Sequence, residues 1–181
     1  MIDRLDTRET ESVPATGEAA TTIRLETVVN GRPVSAEIEP RTLLLDFLRD
    51  RLGLTGAKRS CDVQVCGVCT VLLDGKPVSA CSTLAYEAHG REVLTIEGLA
   101  RFGELHPIQQ AFMERTAIQC GFCTPGMILT TKALLDENPR PTREEIAAYL
   151  GGNLCRCTGY WMIIEAVEHA ARLMAGEEDR S

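Results

Sequence analysis

Aromatic residues make up only 4% of the 181 positions, and no apolar run exceeds five residues. Large rings are therefore not the main filler of the core, and the chain lacks the ~18 or more consecutive apolar residues of a membrane-spanning helix. Basic charge is in deficit, with 19 Lys and Arg against 26 Asp and Glu and a formal charge of −7. A phosphate backbone needs a basic face, so nucleic acid is not an expected partner. The first 22 residues lack an apolar core, a cleavage signature and a twin arginine, so they do not read as an export signal. Motifs for self-contained chemistry are missing too: there is no G-x-S-x-G, P-loop or dinucleotide G-x-G-x-x-G.

What is present is 44% hydrophobic residues, a mean hydropathy near zero and eight cysteines. The length suits one ordinary domain or two small ones. Residues 1–21 read as a flexible leader and 176–181 as a flexible tail, with Glu177-Glu178-Asp179 as solvated charge. The expected setting is the cytoplasm, where reducing conditions disfavour structural disulfides and turn eight cysteines toward metal or redox chemistry.

Two parts follow from the periodicity. Ile23, Leu25, Thr27 and Val29 alternate with polar neighbours, Asn30-Gly31 supplies a tight turn, and Val34, Ala36 and Ile38 resume the alternation. Thr42 is placed to cap a helix bearing Leu44, Leu45, Leu48 and Leu52, which Gly53 ends. Val71–Leu73, Asp74-Gly75 and Pro77-Val78 form a second hairpin, and Val93–Ile96 a last strand. Residues 22–98 thus predict a small α+β, grasp-like domain. Residues 99–175 follow a 3.6 period: Ile108 and Phe112, then Met127, Thr131, Leu134 and Leu135, then Ile146 and Leu150, then Ile163, Val167, Ala170 and Met174. Thr142 and Glu145 make a capping box for the third segment, and the four segments predict a four-helix bundle.

Each part holds four cysteines. Cys61, Cys66, Cys69 and Cys81 follow C-x4-C-x2-C-x11-C, the plant-type ferredoxin spacing except for a short last gap. Gly67 would let this loop pass close to a cluster. Cys120, Cys123, Cys155 and Cys157 follow C-x2-C-x31-C-x-C, each pair just before an expected helix, with Thr124 and Thr158 as candidate N-caps. Two helix N-termini would then face one anionic group. The spacing favours iron–sulfur sites. Zinc and disulfides remain alternatives, although zinc ribbons prefer paired C-x2-C knuckles.

Three stretches, GAKRSCDVQVCGVCTVLLDG (56–75), QCGFCTPGM (119–127) and GNLCRCTGY (152–160), resemble the iron–sulfur subunit of the molybdenum hydroxylases. That is the family of xanthine dehydrogenase, aldehyde oxidoreductase and aerobic carbon monoxide dehydrogenase. The resemblance covers about residues 22–175. It implies a plant-type ferredoxin-like β-grasp domain followed by a four-helix domain, each with one [2Fe-2S] cluster. It further implies electron transfer, one electron at a time, from a molybdopterin site on a large subunit to FAD on a medium subunit, in a heterotrimer that dimerises. Carried over, the helical-domain cysteines would bind the cluster nearest the pterin, and Gln119, with Cys157 beside it, would contact the pterin itself. Substrate turnover would occur on another subunit. A free-standing two-cluster carrier is the alternative.

Ser60, Gln64 and Val68 stand where this family more often has Gly, Gly and Ala, and Gln64 would need a left-handed backbone if that glycine has positive φ. His89, His106 and His169 share no ligand spacing and read as surface or capping residues. Trp161, the only tryptophan, follows the second cysteine loop and would pack over the cluster, within the core or against a partner.

Overall fold

The computed structural model describes residues 21–177. The expected leader and tail lie almost wholly outside them. Strands β1 (Ile23–Val29) and β2 (Arg32–Ile38) pair antiparallel around Asn30-Gly31, whose φ values of 52° and 75° are those of a type I′ turn. Strands β3 (Thr70–Leu73) and β4 (Lys76–Ser79) repeat the device around Asp74-Gly75. With β5 (Glu92–Leu94) they form one sheet in the order β2-β1-β5-β3-β4, in which β1 and β5 run parallel. β5 is shorter than its apolar run because the Asn30 side chain accepts the Thr95 N–H at 2.8 Å, and the chain turns away over Ile96–Gly98.

The first helix differs from expectation. Thr42 does not cap it; the helix α1 (Leu44–Asp46) starts after an extended Leu43 and widens into a π-helix over Phe47–Arg51. The Thr42 carbonyl instead accepts the Ala85 N–H at 2.8 Å, which ties this segment to the chain beyond β4. Leu44, Leu45, Phe47 and Leu48 are fully buried against Leu25, Val71 and Val93. These four positions, at i, i+1, i+3 and i+4, form one apolar face, and Asp46 between them points away from the core.

Four helices follow: α2 (Pro107–Glu114), α3 (Thr124–Glu137), α4 (Arg143–Tyr149) and α5 (Trp161–Met174). Thr142 and Glu145 form the expected capping box. Phe112, Met127, Ile146, Ile163 and Val167 centre a second apolar cluster. All four residues of β3 are buried, because one face meets the core under α1 and the other meets α3, where Leu72 packs on Leu129 and Ala133. The sheet and the helices therefore share a contact that holds the two cysteine loops side by side.

The histidines divide. His89 is exposed, and His106 caps α2 by accepting the Ile108 N–H. His169 is neither surface nor cap: only 2% exposed, it lies between Glu114, 2.7 Å from Nε2, and Arg115, 3.2 Å from Nδ1. Its position on the apolar stripe of α5 forces it inward, and these polar neighbours make that burial tolerable. Among the described residues, no helix is long and apolar enough to cross a membrane.

Candidate metal centres

The eight thiols are brought together in pairs. In the first set, Cys66, Cys69 and Cys81 are buried and Cys61 is half-buried. Cys61 lies beside Cys66, and Cys69 beside Cys81. Amides converge on Cys61: the N–H groups of Val65 and Cys66 donate to its Sγ, each at 3.4 Å. These amides and, above all, that of Val63 pull the Cys61 thiol down to about 6, which favours the thiolate that a metal needs. Burial pushes Cys69 up to about 12, with neighbouring Cys81 and Cys66 contributing, so this thiol ionises only beside a cation.

The second set repeats the pairing. Cys120 and Cys157 are exposed, with their sulfurs 3.5 Å apart. Cys123 and Cys155 are half-buried neighbours. Burial and then Cys155 push Cys123 up to about 12. Burial also works against ionisation of Cys155, but the Thr158 hydroxyl, donating to its Sγ at 3.2 Å, and nearby amides outweigh it and leave the thiol lowered.

Two thiols beside two thiols is what a pair of irons asks for, each holding two thiolates and sharing two sulfides. The donor sets fit [2Fe-2S] clusters.

The loops around these sites differ in detail from expectation. Neither threonine caps a helix: Cys123 already has helical dihedrals, so Thr124 and Pro125 fall inside the first turn of α3. Thr158 turns toward Cys155, and α5 begins after Tyr160, held left-handed at φ 68°. Gly67 is at φ +67°, and a side chain there would collide with the Gly152 carbonyl and crowd the Asn153 amide. The glycine thus admits the second cysteine loop. Gln64 adopts the expected left-handed conformation at φ 58° and accepts a hydrogen bond from Ser82. Val68 is buried and Ser60 exposed.

Gln119 is exposed in the loop that carries Cys120. Trp161 is not in the core: its ring is 60% exposed, its Nε1 donates to Glu165 at 2.9 Å, and the Arg143 guanidinium lies 4.5 Å from the ring centre. Exposed Ile118, Phe122, Trp161 and Met162 belong to the segments around Cys120 and α5. Tyr160 and Asn153 went unread in the sequence. The Tyr160 hydroxyl accepts the Cys155 N–H at 2.9 Å and donates to the Asn153 carbonyl at 3.3 Å, fixing the second loop. Their only signal is membership in the GNLCRCTGY run.

Comparison with known proteins agrees with this donor chemistry. A family described as "2Fe-2S iron-sulfur cluster binding domain" matches residues 27–95, and one described as "[2Fe-2S] binding domain" matches residues 95–168. The chain is 50% identical over 147 residues to the nicotinate dehydrogenase small FeS subunit of Eubacterium barkeri, covering 81% of this chain and 94% of that one. It is 47% identical to the nicotine 6-hydroxylase small subunit of Paenarthrobacter nicotinovorans, covering 80% and 87%. Quinoline 2-oxidoreductase from Pseudomonas putida 86 contains a chain that superposes with a TM-score of 0.81 at 44% identity, over 87% of this chain and 99% of that one. Aldehyde oxidoreductase from Desulfovibrio desulfuricans gives a TM-score of 0.83 at 44% identity, with 86% of this chain matching 17% of a much longer one.

The fold and donor sets therefore define a two-domain [2Fe-2S] protein of an oxidoreductase complex. More narrowly, the chain belongs to the iron–sulfur subunits of the molybdenum hydroxylase family, the electron-transfer members of complexes whose catalysis takes place on another subunit.

Proposed function

We propose that Cys61, Cys66, Cys69 and Cys81 hold one [2Fe-2S] cluster and Cys120, Cys123, Cys155 and Cys157 the other. The two-by-two pairing of the thiols in both sets carries this reading. Each cluster, when bound, accepts and releases a single electron. The protein supplies the rest. The amides at Cys61 and the Thr158 hydroxyl stabilise negative charge on sulfur, and burial of Cys66, Cys69 and Cys81 keeps water from the first site.

The domains run over 22–98 and 99–175, and the helices of the second form a four-helix bundle around its cysteine loops. A molybdopterin-binding large subunit covers the exposed Cys120–Cys157 end, where Gln119 offers an amide donor and acceptor to the pterin edge and Cys157 touches it. A medium subunit carrying FAD receives electrons from the first site, and the three subunits form a heterotrimer that dimerises in the cytoplasm. Exposed Ile118, Phe122, Trp161 and Met162 support a covered surface over a free-standing carrier. Copurification of the tagged chain from its native host tests this. The expected eluate holds molybdopterin and flavin proteins; a chain that elutes alone with its iron is the carrier.

A further inference from the structure

Buried polar side chains away from the thiols are few, and one joins both cysteine loops. Asn153 is 5% exposed and lies two residues before Cys155. Its Nδ2 donates to the Gly67 carbonyl at 2.9 Å, one residue after Cys66, and to the Thr70 hydroxyl at 3.4 Å, one residue after Cys69. Its Oδ1 accepts from the Thr130 hydroxyl on α3, the helix that directly follows Cys123, at 3.0 Å. Its main chain is held as well, by the Leu150 carbonyl and by the Tyr160 hydroxyl. Both nitrogen-bound hydrogens and the carbonyl oxygen of the amide are engaged, and they tie the first cysteine loop to α3.

The packing around it is cut to fit. A Cβ at Gly67 would meet Asn153 Nδ2 at 2.8 Å, and one at Gly126 would collide with the Gly67 carbonyl and come within 3.2 Å of that same Nδ2. Two glycines thus clear the space that one amide fills. A carboxylate at 153 would face the Gly67 carbonyl with no donor, and an aliphatic residue would leave that carbonyl and both threonine hydroxyls without this partner.

We propose that Asn153 is a positioning residue: it clasps the first cysteine loop to the second and so fixes the separation of the two metal sites. This rests on the assignment of a [2Fe-2S] cluster to each cysteine set. An inert filler of the same gap would alter stability alone. A clasp also sets how strongly two paramagnetic centres sense each other, because their interaction falls steeply with distance.

The test is low-temperature electron paramagnetic resonance of the full-length, iron-loaded, dithionite-reduced protein and three variants, Asn153→Ala, Thr130→Val and Thr130→Ser. The wild type is expected to give two signals with resolved mutual splitting. In Asn153→Ala and Thr130→Val both signals persist at unchanged g values, but the splitting falls and broadens as the loops sample several separations. Thr130→Ser, which keeps the hydroxyl, restores the wild-type splitting. If Asn153→Ala fails to load iron, the Thr130 pair decides. Two signals with the same splitting in wild type and Thr130→Val overturn the clasp while leaving the cluster assignment intact; a wild type without two signals overturns both.

Discussion

The amide of Leu154 donates to the carbonyl of Cys66 at 2.9 Å, so the main chain of the first cysteine loop is one hydrogen bond from the residue before Cys155. The two cysteine loops therefore share a wall. The chain reaches this arrangement by packing β3 against α3 and by keeping side chains out of the way at Gly67 and Gly126.

Gly67→Ala is the sharpest probe of that wall. The substitution meets a left-handed backbone and a collision with the Gly152 carbonyl together. We expect a loss of about 3 kcal/mol from strain and overpacking, measured by chemical denaturation of the iron-loaded protein. An unchanged midpoint would mean that the loops separate without cost.

Gln64→Gly should move the other way. Gln64 is held at φ 58°, which costs a non-glycine residue about 1–2 kcal/mol, while a glycine adds about 0.4–1 kcal/mol of unfolded-state freedom. The exposed hydrogen bond from Ser82 is a small loss. The expected outcome is a gain of about 0.5–1 kcal/mol by the same denaturation assay.

Legibility in the sequence follows the range of the interaction. Asn30-Gly31, Asp74-Gly75 and the Thr142–Glu145 box are local chemistry, and each lies where the residues alone put it. The two cysteine sets were legible from spacing. What sequence could not reveal is long-range: Asn153 and Gly67 meet across 86 positions, and His169 is drawn inward by partners 54 and 55 positions away. The π-helix at Phe47–Arg51 was hidden too, because it answers to the sheet beneath it. Thr158 had two roles open to it, and the thiol of Cys155 took precedence over the helix.

A pH dependence comes from His106. Burial, then nearby Lys132, hold its imidazole below the ordinary value of 6.5, and its Nδ1 accepts the Ile108 N–H. The fold therefore prefers the neutral ring, and the unfolded chain binds more protons below pH 6.5. This contribution to stability is complete above pH 6.5 and is lost progressively as pH falls through the lowered folded-state value. His106→Asn keeps an acceptor at the cap without the titration. Thermal melts of the two proteins at several pH values should diverge on the acid side, with the wild type losing more.

Single-ligand substitutions should separate the sites. Cys66→Ser is expected to change or remove one paramagnetic signal and leave the other, and Cys123→Ser to do the reverse. Loss of both signals from a folded variant would show that the two sets do not load independently.

The most direct measurement is metal and sulfide analysis of the purified protein alongside electron paramagnetic resonance after reduction. Two [2Fe-2S] sites require four iron and four acid-labile sulfide per chain, with two distinct signals. Zinc without sulfide, or iron with one signal only, would contradict the pairing of eight thiols into two dinuclear centres.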